Sequence, residues 1–253
     1  MNTFERRSEI IQHLQETERA STQSLSQLFQ VSEVTIRNDL NELEKRGWIS
    51  RVHGGAEIVR RLQDEQPFAM RQALQIVEKI SIAKSAASLV KPGDTIILDS
   101  STTAFQLALH LKEISNLRVV TNNLHVVSTL SPCQGIEVII VGGIVRGKTA
   151  SVVGPPAEEM MASWHAHQGF FGAAGLTRQR GLTDADIREA QIKKRMIKAV
   201  DKVNVLLDAS KFGTQAFSTF ASLEDIDQLF TDNKIPEEYT DLCREFGIKL
   251  SVV

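Results

Sequence analysis

The stretch SLSQLFQVSEVTIRNDLNELEKRGWISRVHGGAEI, residues 24–58, contains two sets of apolar residues at helical spacing, separated by a short polar segment. The first set comprises Leu25, Leu28 and Phe29. The second set comprises Ile36, Leu40 and Leu43, whose i, i+4, i+7 spacing places them on the inner face of a helix. Ser32 is a good N-cap for that helix and Gly47 a good terminator. The stretch therefore predicts two short helices joined by a tight turn.

The flanking residues predict one more helix and a β-hairpin. An apolar stripe at helical spacing precedes the stretch and comprises Phe4, Ile10, Ile11 and Leu14. Ser21 and Thr22 are good N-caps for the helix that follows it. Two strand-like runs, 48–52 and 56–59, flank a turn that a glycine pair permits, made of His53, Gly54 and Gly55. Together these elements predict a winged helix-turn-helix domain.

The outward face of the helix that Ser32 begins carries side chains that suit DNA recognition. In a helix-turn-helix, this helix enters the major groove and reads base edges from its N-terminal turns. Arg and Asn are the residue types that make bidentate contacts to guanine and adenine. Arg51 and His53, which we expect at the tip of the hairpin, are candidates for contacts to phosphate or the minor groove. The predicted DNA-binding residues are Ser32, Thr35, Arg37, Asn38, Asn41, Lys45, Arg51 and His53.

The overall charge of the chain does not favour nucleic-acid binding. The net charge is −2, and acidic residues outnumber basic ones within residues 1–60. A DNA-binding hypothesis therefore depends on where individual charges lie, because a net-basic domain is absent. Two alternatives stay open on the pattern alone. One is a three-helix bundle whose outward face is merely polar, and the other is an interaction module that binds a partner other than DNA.

Residues 24–58 also resemble the DeoR family of sugar-metabolism repressors across the second helix, the recognition helix and the wing. The resemblance lies in V-S-x-x-T-I-R-x-D-L at 31–40, L-E at 43–44 and R-x-x-G-G-A at 51–56. It implies a DNA-binding transcriptional repressor of a carbohydrate utilisation operon. Family members usually carry Arg where this chain has Asn38, so the resemblance does not imply the operator preference of the commoner branch. The variant resembles the branch that controls amino-sugar genes.

The length of 253 residues suggests two domains, because one domain commonly takes about 100–200 residues. We predict a DNA-binding domain over 1–59, a polar linker with Pro67 over 60–74, and an effector-binding and oligomerisation domain over 75–253. The sequence has no apolar run near the roughly 18–20 residues of a membrane span, and its charged N-terminus does not resemble a signal peptide. Cys133 and Cys243 lack CxxC spacing and fit a reducing, cytoplasmic setting.

Strand-like and helical segments alternate in the predicted C-terminal domain. A helical pattern over 76–90 comes first, with one face formed by Ile80, Ala83, Ala87 and Val90. The predicted strands are 95–99, 117–121, 136–141, 168–172, 203–208 and 229–231. The predicted helices between them centre on 104–113, 123–130, 156–162, 186–200 and 236–246. This alternation predicts an α/β fold with a parallel sheet covered on both faces, in which ligands bind at the carboxyl ends of the strands.

Polar residues follow the ends of the first three predicted strands. The first group comprises Asp99, Ser100, Ser101, Thr102 and Thr103. Since a helix follows, its N-terminus favours phosphate there, and ordinary capping by Ser and Thr is the alternative. Asn122 after the second strand has a short amide group that suits sugar hydroxyls. Gly142 and Gly143 after the third let a ligand approach the backbone near the cations Arg146 and Lys148, unless the segment is only a glycine turn with solvated charges.

Later in the chain, two more groups of polar residues occur. Asp184, Glu189 and Lys193 lie on or beside one predicted helix, and Asp208 and Lys211 follow a predicted strand. A surface salt bridge between Glu189 and Lys193 at i, i+4 is the simplest alternative to a functional role. Taken together, the residues at the strand ends predict a pocket for a polyhydroxylated anionic ligand.

The C-terminal part resembles the effector domain of the same DeoR family in the segments ILDSSTTA, VVTNN, VGGIVRG, FGAAGLT and LLDASKFG. That domain is similar to ribose-5-phosphate isomerase and glucosamine-6-phosphate deaminase, which implies a phosphorylated sugar as the effector. The residues assigned to phosphate by the resemblance are Ser100, Ser101, Thr102 and Thr103. Those it places around the sugar are Asn122, Arg146, Asp184, Glu189 and Lys211. Asp99 and Gly143 complete the predicted effector site.

The rival hypothesis is a catalytically active sugar-phosphate isomerase or deaminase with an appended winged helix. Glu189 has the chemistry of a base and Lys211 that of an enediolate stabiliser. Against this, the related isomerases carry closely spaced Asp residues where this chain reads FGAAGL at 171–176. His165 and His167 lack a nearby cluster of Cys or carboxylates, so we predict no metal site and no cofactor. We expect a homodimer or homotetramer, because helix-turn-helix proteins normally dimerise.

Overall fold

The computed structural model describes residues 2–59 and 66–253, apart from the side chains of Phe4, Gln15 and Glu16. The chain divides into two compact units, Met1–Ile76 and Val77–Val253. Residues 60–65 of the predicted linker and the side chain of Phe4 lie outside the described part. Among the described helices, none is long and apolar enough to cross a membrane.

The N-terminal unit contains the predicted helix-turn-helix. Its elements in chain order are α1 (Thr3–Thr17), β1 (Arg19–Ser21), α2 (Thr22–Phe29), α3 (Glu33–Lys45), β2 (Ile49–Val52), β3 (Gly55–Ile58) and α4 (Phe68–Ala73). Asn2, Ser21 and Ser32 cap α1, α2 and α3, because each side chain accepts a hydrogen bond from a backbone N–H of the first turn. Local capping thus sets where all three of these helices begin.

One apolar core holds these helices against the small sheet. It includes Ile10, Ile11, Leu14, Leu25, Ile36, Leu40, Leu43 and Trp48. In α2, the stripe that faces this core runs through Leu25 and Phe29, which are four residues apart. Leu28 belongs to the same apolar set in the sequence but is 54 % exposed, because it lies to one side of that stripe.

The predicted hairpin forms an antiparallel pair, β2 and β3. A strand that the sequence pattern did not indicate, β1, adds to its edge in the order β1-β3-β2. Gly54 in the turn has a φ of 77°, in the left-handed region that favours glycine. A Cβ on Gly55 would lie 2.2 Å from the backbone oxygen of Ala20. The third strand can therefore pair with β3 only because residue 55 has no side chain.

Part of the predicted linker is helical. Residues 68–73 form α4, in which Phe68, Met70 and Ala73 are buried. Met70 and Ala73, three residues apart, belong to the core of the N-terminal unit, and α4 contacts α1. The described residues 68–73 are therefore not a polar hinge, because their apolar side chains have a core to pack against.

The C-terminal unit has the predicted α/β architecture. Its helices are α5 (Ile76–Ala87), α6 (Thr102–His110), α7 (Leu124–Leu130), α8 (Pro155–Ala162), α9 (Ile187–Lys198) and α10 (Glu237–Glu245), with a 3₁₀ helix at Ala209–Lys211. Its strands are β4 (Thr95–Leu98), β5 (Leu117–Thr121), β6 (Ile136–Ile140), β7 (Ile144–Arg146), β8 (Ser151–Val153), β9 (Gln168–Phe171), β10 (Gly175–Thr177), β11 (Gly181–Asp184), β12 (Val203–Leu206), β13 (Ser218–Ala221), β14 (Gln228–Thr231) and β15 (Lys249–Val252).

Seven parallel strands form the main sheet in the order β15-β14-β12-β9-β4-β5-β6. From β4 the chain moves outward to β5 and β6, and from β9 it moves outward in the opposite direction. The order therefore reverses between β4 and β9, and such a switch point leaves a crevice at the carboxyl ends of the strands. The β7–β8 hairpin, the β10-β11-β13 antiparallel sheet and β15 were not predicted.

The buried stripe of α5 differs from the predicted one. Ala83 is buried, as predicted, but Ile80 is 42 % exposed. Lys79, Ile82 and Ala86 are buried with Ala83, so the stripe lies on a neighbouring face of the helix. A run of small and apolar residues permits more than one such stripe, and tertiary packing selects between them.

We expect Gly55→Ala to destabilise the N-terminal unit, because the added methyl group would meet the Ala20 oxygen. By analogy with overpacked interiors, the free energy of unfolding should fall by about 1–3 kcal/mol. Gly147→Ala is the matched control, since a Cβ added at Gly147 would have nothing within 4 Å. Urea unfolding of both full-length variants measures the effect, and equal losses would contradict the close approach of β1.

Candidate functional site

The outward face of α3 lies clear of the core. The exposed residues that we predicted there are Arg37, Asn38, Asn41 and Lys45. Arg37 Nη2 donates to Glu33 Oε2 at 2.8 Å in an exposed pair within the helix. Val34, which was not predicted, is 62 % exposed one turn before Arg37 and Asn38. Ser32 and Thr35 have a local role, since Ser32 Oγ accepts the Thr35 N–H at 3.2 Å and begins the helix.

Arg51 does not extend from the tip of the hairpin as expected. Its Nη1 donates to Asn41 Oδ1 at 2.6 Å, and its Nε donates to the Gly55 carbonyl oxygen at 3.1 Å. The guanidinium therefore folds back towards these two acceptors. It connects the hairpin of β2 and β3, which is the wing, to α3. His53, by contrast, lies exposed in the turn.

A buried ion cluster that was not predicted orients α3. Asp39 is 2 % exposed, and its two carboxylate oxygens accept from Arg6 Nε at 2.6 Å and Arg7 Nε at 2.7 Å. Both arginines belong to α1. A signal was present in the sequence, because Asp39 falls three residues after Ile36, at a position of the helix that faces the core. A carboxylate at such a position requires buried partners.

In the C-terminal unit, Asp99 lies at the switch point of the sheet. It follows β4 and is fully buried. Its Oδ1 accepts the Ser101 N–H and its Oδ2 the Gly172 N–H, each at 2.9 Å. A Cβ on Gly172 would come within 2.5 Å of Ser101 Cβ. Asp99 thus ties the loop after β4 to the loop after β9, directly beneath the predicted phosphate segment.

Lys193 of α9 is the buried cation of this region. Its Nζ lies 2.7 Å from Asp184 Oδ2 and 3.0 Å from Asp99 Oδ2, and it donates to the Gly172 oxygen at 2.8 Å. Its ammonium group also lies 5.0 Å from the centre of the Phe220 ring. Burial lowers the pKa of Lys193, but the carboxylates of Asp184 and Asp99 outweigh it and raise the pKa above its ordinary value.

Glu189 of α9 is buried in the same region but has different partners. Its Oε2 accepts from Ser100 Oγ at 2.9 Å, and its Oε1 accepts from Arg146 Nη1 at 2.6 Å and from Ser151 Oγ. The surface pair between Glu189 and Lys193 is therefore wrong, since both side chains are buried and turn to separate partners. Ser151 was not predicted, because no local pattern links it to a residue 38 positions away.

Arg146 connects Glu189 to the N-terminus of α9. Its Nη2 lies 3.0 Å from Oδ2 of Asp186, the N-cap residue of that helix. The side-chain hydrogen bond from Arg188 lowers the pKa of Asp186 to about 2, against the opposing effect of burial, and the charge of Arg146 acts in the same direction as Arg188. Arg146 and Asp186 thus hold opposite charges that keep the β7–β8 hairpin against α9.

Two asparagines beside this cluster have polar atoms without partners. Asn122 Nδ2 donates to the Val152 oxygen at 3.2 Å, whereas its Oδ1 is buried and has no hydrogen-bond partner in the described part of the chain. The same holds for Nδ2 of Asn123, whose backbone forms a bridge with Ser151. Buried polar atoms in proteins are normally hydrogen-bonded. Among the described residues, these two atoms therefore have unused hydrogen-bonding capacity.

The remaining predicted effector residues lie in three different places. Thr102 and Thr103 are buried in the first turn of α6, next to Ser101, which caps that helix. Gly143 is exposed at the base of the β7–β8 hairpin, where a Cβ would lie 2.6 Å from the Val153 oxygen. Lys211 ends the 3₁₀ helix after β12, and among the described residues it has no hydrogen bond or ion pair with the other predicted effector residues.

The histidine pair has ordinary structural roles. His165 Nε2 lies 2.9 Å from Asp201 Oδ1, and His167 Nδ1 accepts the Thr95 N–H at 2.9 Å. The two rings therefore have separate partners rather than a common one.

Models of known protein families match parts of both units. Residues 6–61 match the DeoR-like helix-turn-helix domain, and residues 74–233 match the DeoR C terminal sensor domain. The chain is 37 % identical to the HTH-type transcriptional regulator GolR of Listeria innocua, over 100 % of this chain and 99 % of that protein. It is 33 % identical to the putative aga operon transcriptional repressor of Escherichia coli O157:H7, over 99 % and 94 %. It is 31 % identical to the glycerol-3-phosphate regulon repressor of E. coli K12, over the whole of both chains.

Among solved structures, the chain is similar to ribose 5-phosphate isomerase A of Methanocaldococcus jannaschii. The TM-score is 0.39 at 19 % identity, and the match covers 53 % of each chain. A likeness at this level carries no information about activity.

We expect Lys193→Met to destabilise the C-terminal unit strongly, because Asp99 and Asp184 would stay buried without their cation. Breaking a buried ion pair by removing one partner costs about 3–5 kcal/mol. Lys198→Met, on an exposed position of the same helix, is the matched control. Urea unfolding at neutral pH should separate the two variants, and similar stabilities would contradict the role of the ion cluster.

The stabilisation by Lys193 has a defined pH dependence. The pKa of Lys193 is higher in the folded chain than the ordinary value of 10.5. Its contribution to stability is therefore complete below pH 10.5 and is lost as the pH rises through the higher folded value. The difference in stability between the wild type and Lys193→Met should be constant from neutral pH to about pH 10 and then shrink. Urea unfolding over this pH range measures the difference, and a decline that begins near neutral pH would contradict the raised pKa.

Proposed function

The chain belongs to the DeoR family of helix-turn-helix transcriptional regulators, and on that premise we propose how it acts. It binds operator DNA through α3 and the wing and represses a carbohydrate utilisation operon. A phosphorylated sugar binds at the carboxyl edge of the main sheet and releases the protein from its operator. The observation that carries the effector half of this proposal is the buried polar cluster at the switch point, with the unpartnered Oδ1 of Asn122 beside it.

The DNA-binding half is supported by the surface of α3. Arg37, Asn38 and Asn41 are exposed near the middle of a helix that its family places in the major groove. Their side chains suit guanine and adenine edges. Lys45 and His53 are exposed, and we expect them to contact the phosphate backbone. Because the domain has no net positive charge, DNA binding depends on the positions of these individual side chains.

The effector half is supported by the chemistry of the pocket. The buried hydroxyl groups of Ser100, Thr102 and Thr103 stand at the N-terminus of α6, where the helix dipole favours an anion such as phosphate. The Asn122 oxygen accepts from a sugar hydroxyl, and the Asn123 amide donates to one. A ligand with one anionic group and several hydroxyl groups satisfies this set.

Regulation requires that the effector distinguish two states of the repressor. We take the functional unit to be a homodimer or homotetramer, because two recognition helices then meet successive major grooves about 34 Å apart. For a hundredfold loss of operator affinity, the effector must prefer the non-binding state by about 2.7 kcal/mol. A charge-assisted phosphate site is strong enough to supply that preference.

We assign no catalytic step to this pocket. Glu189, the candidate base, already accepts hydrogen bonds from Ser100, Arg146 and Ser151. The segment FGAAGL at the end of β9 contains no acid. These two observations favour binding of a sugar phosphate over its isomerisation, which needs a free base and acid groups at the reacting carbons.

Arg37→Ala should reduce discrimination between operator and random DNA by about 5-fold to 150-fold, since one bidentate base contact is worth about 1–3 kcal/mol. Arg46→Ala is the matched control, because Arg46 is also exposed but lies at the C-terminal end of α3, over the Trp48 ring. A mobility-shift assay on an operator selected from random duplexes measures both. Unchanged discrimination in Arg37→Ala would remove this residue from base reading.

Thr102→Val combined with Lys211→Ala should abolish the response to the effector while operator binding stays intact. The double variant removes a hydroxyl group from the α6 N-terminus and a cation from the neighbouring loop, both distant in sequence from the DNA-binding unit. A thermal-shift screen of sugar phosphates against their unphosphorylated parents identifies the effector first. If the double variant still releases operator at wild-type effector concentrations, the binding site lies elsewhere.

A further inference from the structure

The carboxyl group of Glu189 lies among hydrogen-bond donors drawn from three elements. Ser100 follows β4, Arg146 ends β7, and Ser151 begins β8. Ser100 Oγ donates at 2.9 Å and Arg146 Nη1 at 2.6 Å, Ser151 Oγ donates as well, and Thr149 Oγ1 lies at 3.5 Å. Glu189 is 2 % exposed, so water does not compete for these donors. Hydroxyl groups and a guanidinium around one buried carboxylate are the donors of an anion-binding site.

The position of these donors relates them to the predicted phosphate segment. Ser100 belongs to that segment, and its hydroxyl group is already engaged by Glu189. A phosphate that approaches the loop after β4 therefore meets a site whose Ser100 donor and nearby cation, Arg146, both serve an internal carboxylate.

The balance of charge leads to the same conclusion. Four carboxylates lie in or beside this cluster, on Asp99, Asp184, Asp186 and Glu189. Lys193 Nζ lies within 3.0 Å of oxygens of Asp99, Asp184 and Gly172, so it is already engaged. An added dianion would raise an excess of negative charge in a buried space unless one carboxylate moved away from its donors. Glu189 is that carboxylate, because its donors are hydroxyl groups and a guanidinium that suit phosphate equally well.

We propose that Ser100, Ser151 and Arg146 form a cradle for the anionic group of the effector, and that Glu189 occupies this cradle until the effector displaces it. The inference rests on the proposed function in taking the same pocket as the effector site. It adds Ser151 to the ligand-binding residues and makes Glu189 a competitor of the effector rather than a contact to the sugar.

Displacement of Glu189 supplies a route from the pocket to the rest of the unit. Glu189 lies in the first turn of α9, and the Arg146 pair with Asp186 joins the same turn to the β7–β8 hairpin. When phosphate takes the hydrogen bonds of Ser100 and Ser151, this turn loses its anchor in the pocket. Binding of the anion thereby changes the contacts that hold the first turn of α9.

The test uses inorganic phosphate as the probe and the full-length chain. Glu189→Gln keeps the size of the side chain and removes its charge, so phosphate should bind at least 10-fold more tightly than to the wild type. Glu159→Gln, an exposed carboxylate of α8, is the matched control and should leave phosphate affinity unchanged. Isothermal titration calorimetry gives the dissociation constants. Weaker or equal binding by Glu189→Gln would overturn the proposal.

A double variant locates the gained binding. Glu189→Gln with Ser151→Ala should lose most of the gain, because Ser151 donates to whichever anion is in the cradle. If the gain persists in the double variant, phosphate binds elsewhere and the proposal fails. Glu189→Asp covers the case in which Glu189→Gln does not fold. Its shorter carboxylate cannot reach Ser100 and Ser151 together, so phosphate affinity should again rise, and no rise would overturn the proposal.

These outcomes are separable from a failure of the proposed function. Release of operator DNA by a sugar phosphate tests regulation, whereas phosphate affinity of the Glu189 variants tests the cradle alone. Tight phosphate binding without release of DNA would retain the cradle and reject the regulatory role. Release of DNA by a sugar phosphate with unaltered phosphate affinity in the Glu189 variants would do the reverse.

Discussion

One buried ammonium group, that of Lys193, joins the parts from which the C-terminal pocket is built. It reaches Asp99 after β4, Gly172 after β9 and Asp184 at the end of β11, while its own backbone belongs to α9. Removing an ion from water costs several kcal/mol, and the interior recovers that cost only when every donor and acceptor is satisfied. Lys193 meets this condition, because its Nζ has three oxygen partners within 3.0 Å. The loops at the switch point of the sheet therefore have fixed positions before any ligand binds.

In the N-terminal unit, buried ion pairs fix the orientation of a helix. A recognition helix must be held at a fixed angle to present its outward face, and an apolar core alone tolerates some rotation. Asp39 on the inner face of α3 accepts from Arg6 and Arg7 of α1, and these directional bonds set the orientation. In each unit, buried ion pairs hold the elements that carry the candidate site residues.

A pocket of this kind is suited to sensing. Glu189, the candidate base of the rival hypothesis, is engaged by Ser100, Arg146 and Ser151. Under the proposal made above, Glu189 and an incoming anion compete for these donors. Such competition is a means of converting ligand binding into a structural change, because the displaced side chain belongs to a helix and not to a mobile loop.

The sequence by itself determined the helix-turn-helix with its hairpin, six of the seven strands of the parallel sheet and the identity of many polar residues at the strand ends. These follow from periodicity, capping and turn chemistry, which act over a few neighbouring residues. The predictions for the tip position of Arg51, the polar character of residues 68–73 and the burial of Ile80 were wrong, because each of these depends on what packs nearby. Only the tertiary structure decided which charges meet. Glu189 and Lys193 are neighbours at helical spacing, yet the fold directs one to Ser100, 89 residues away, and the other to Asp99. Those choices depend on contacts between distant parts of the chain, and no local pattern contains them.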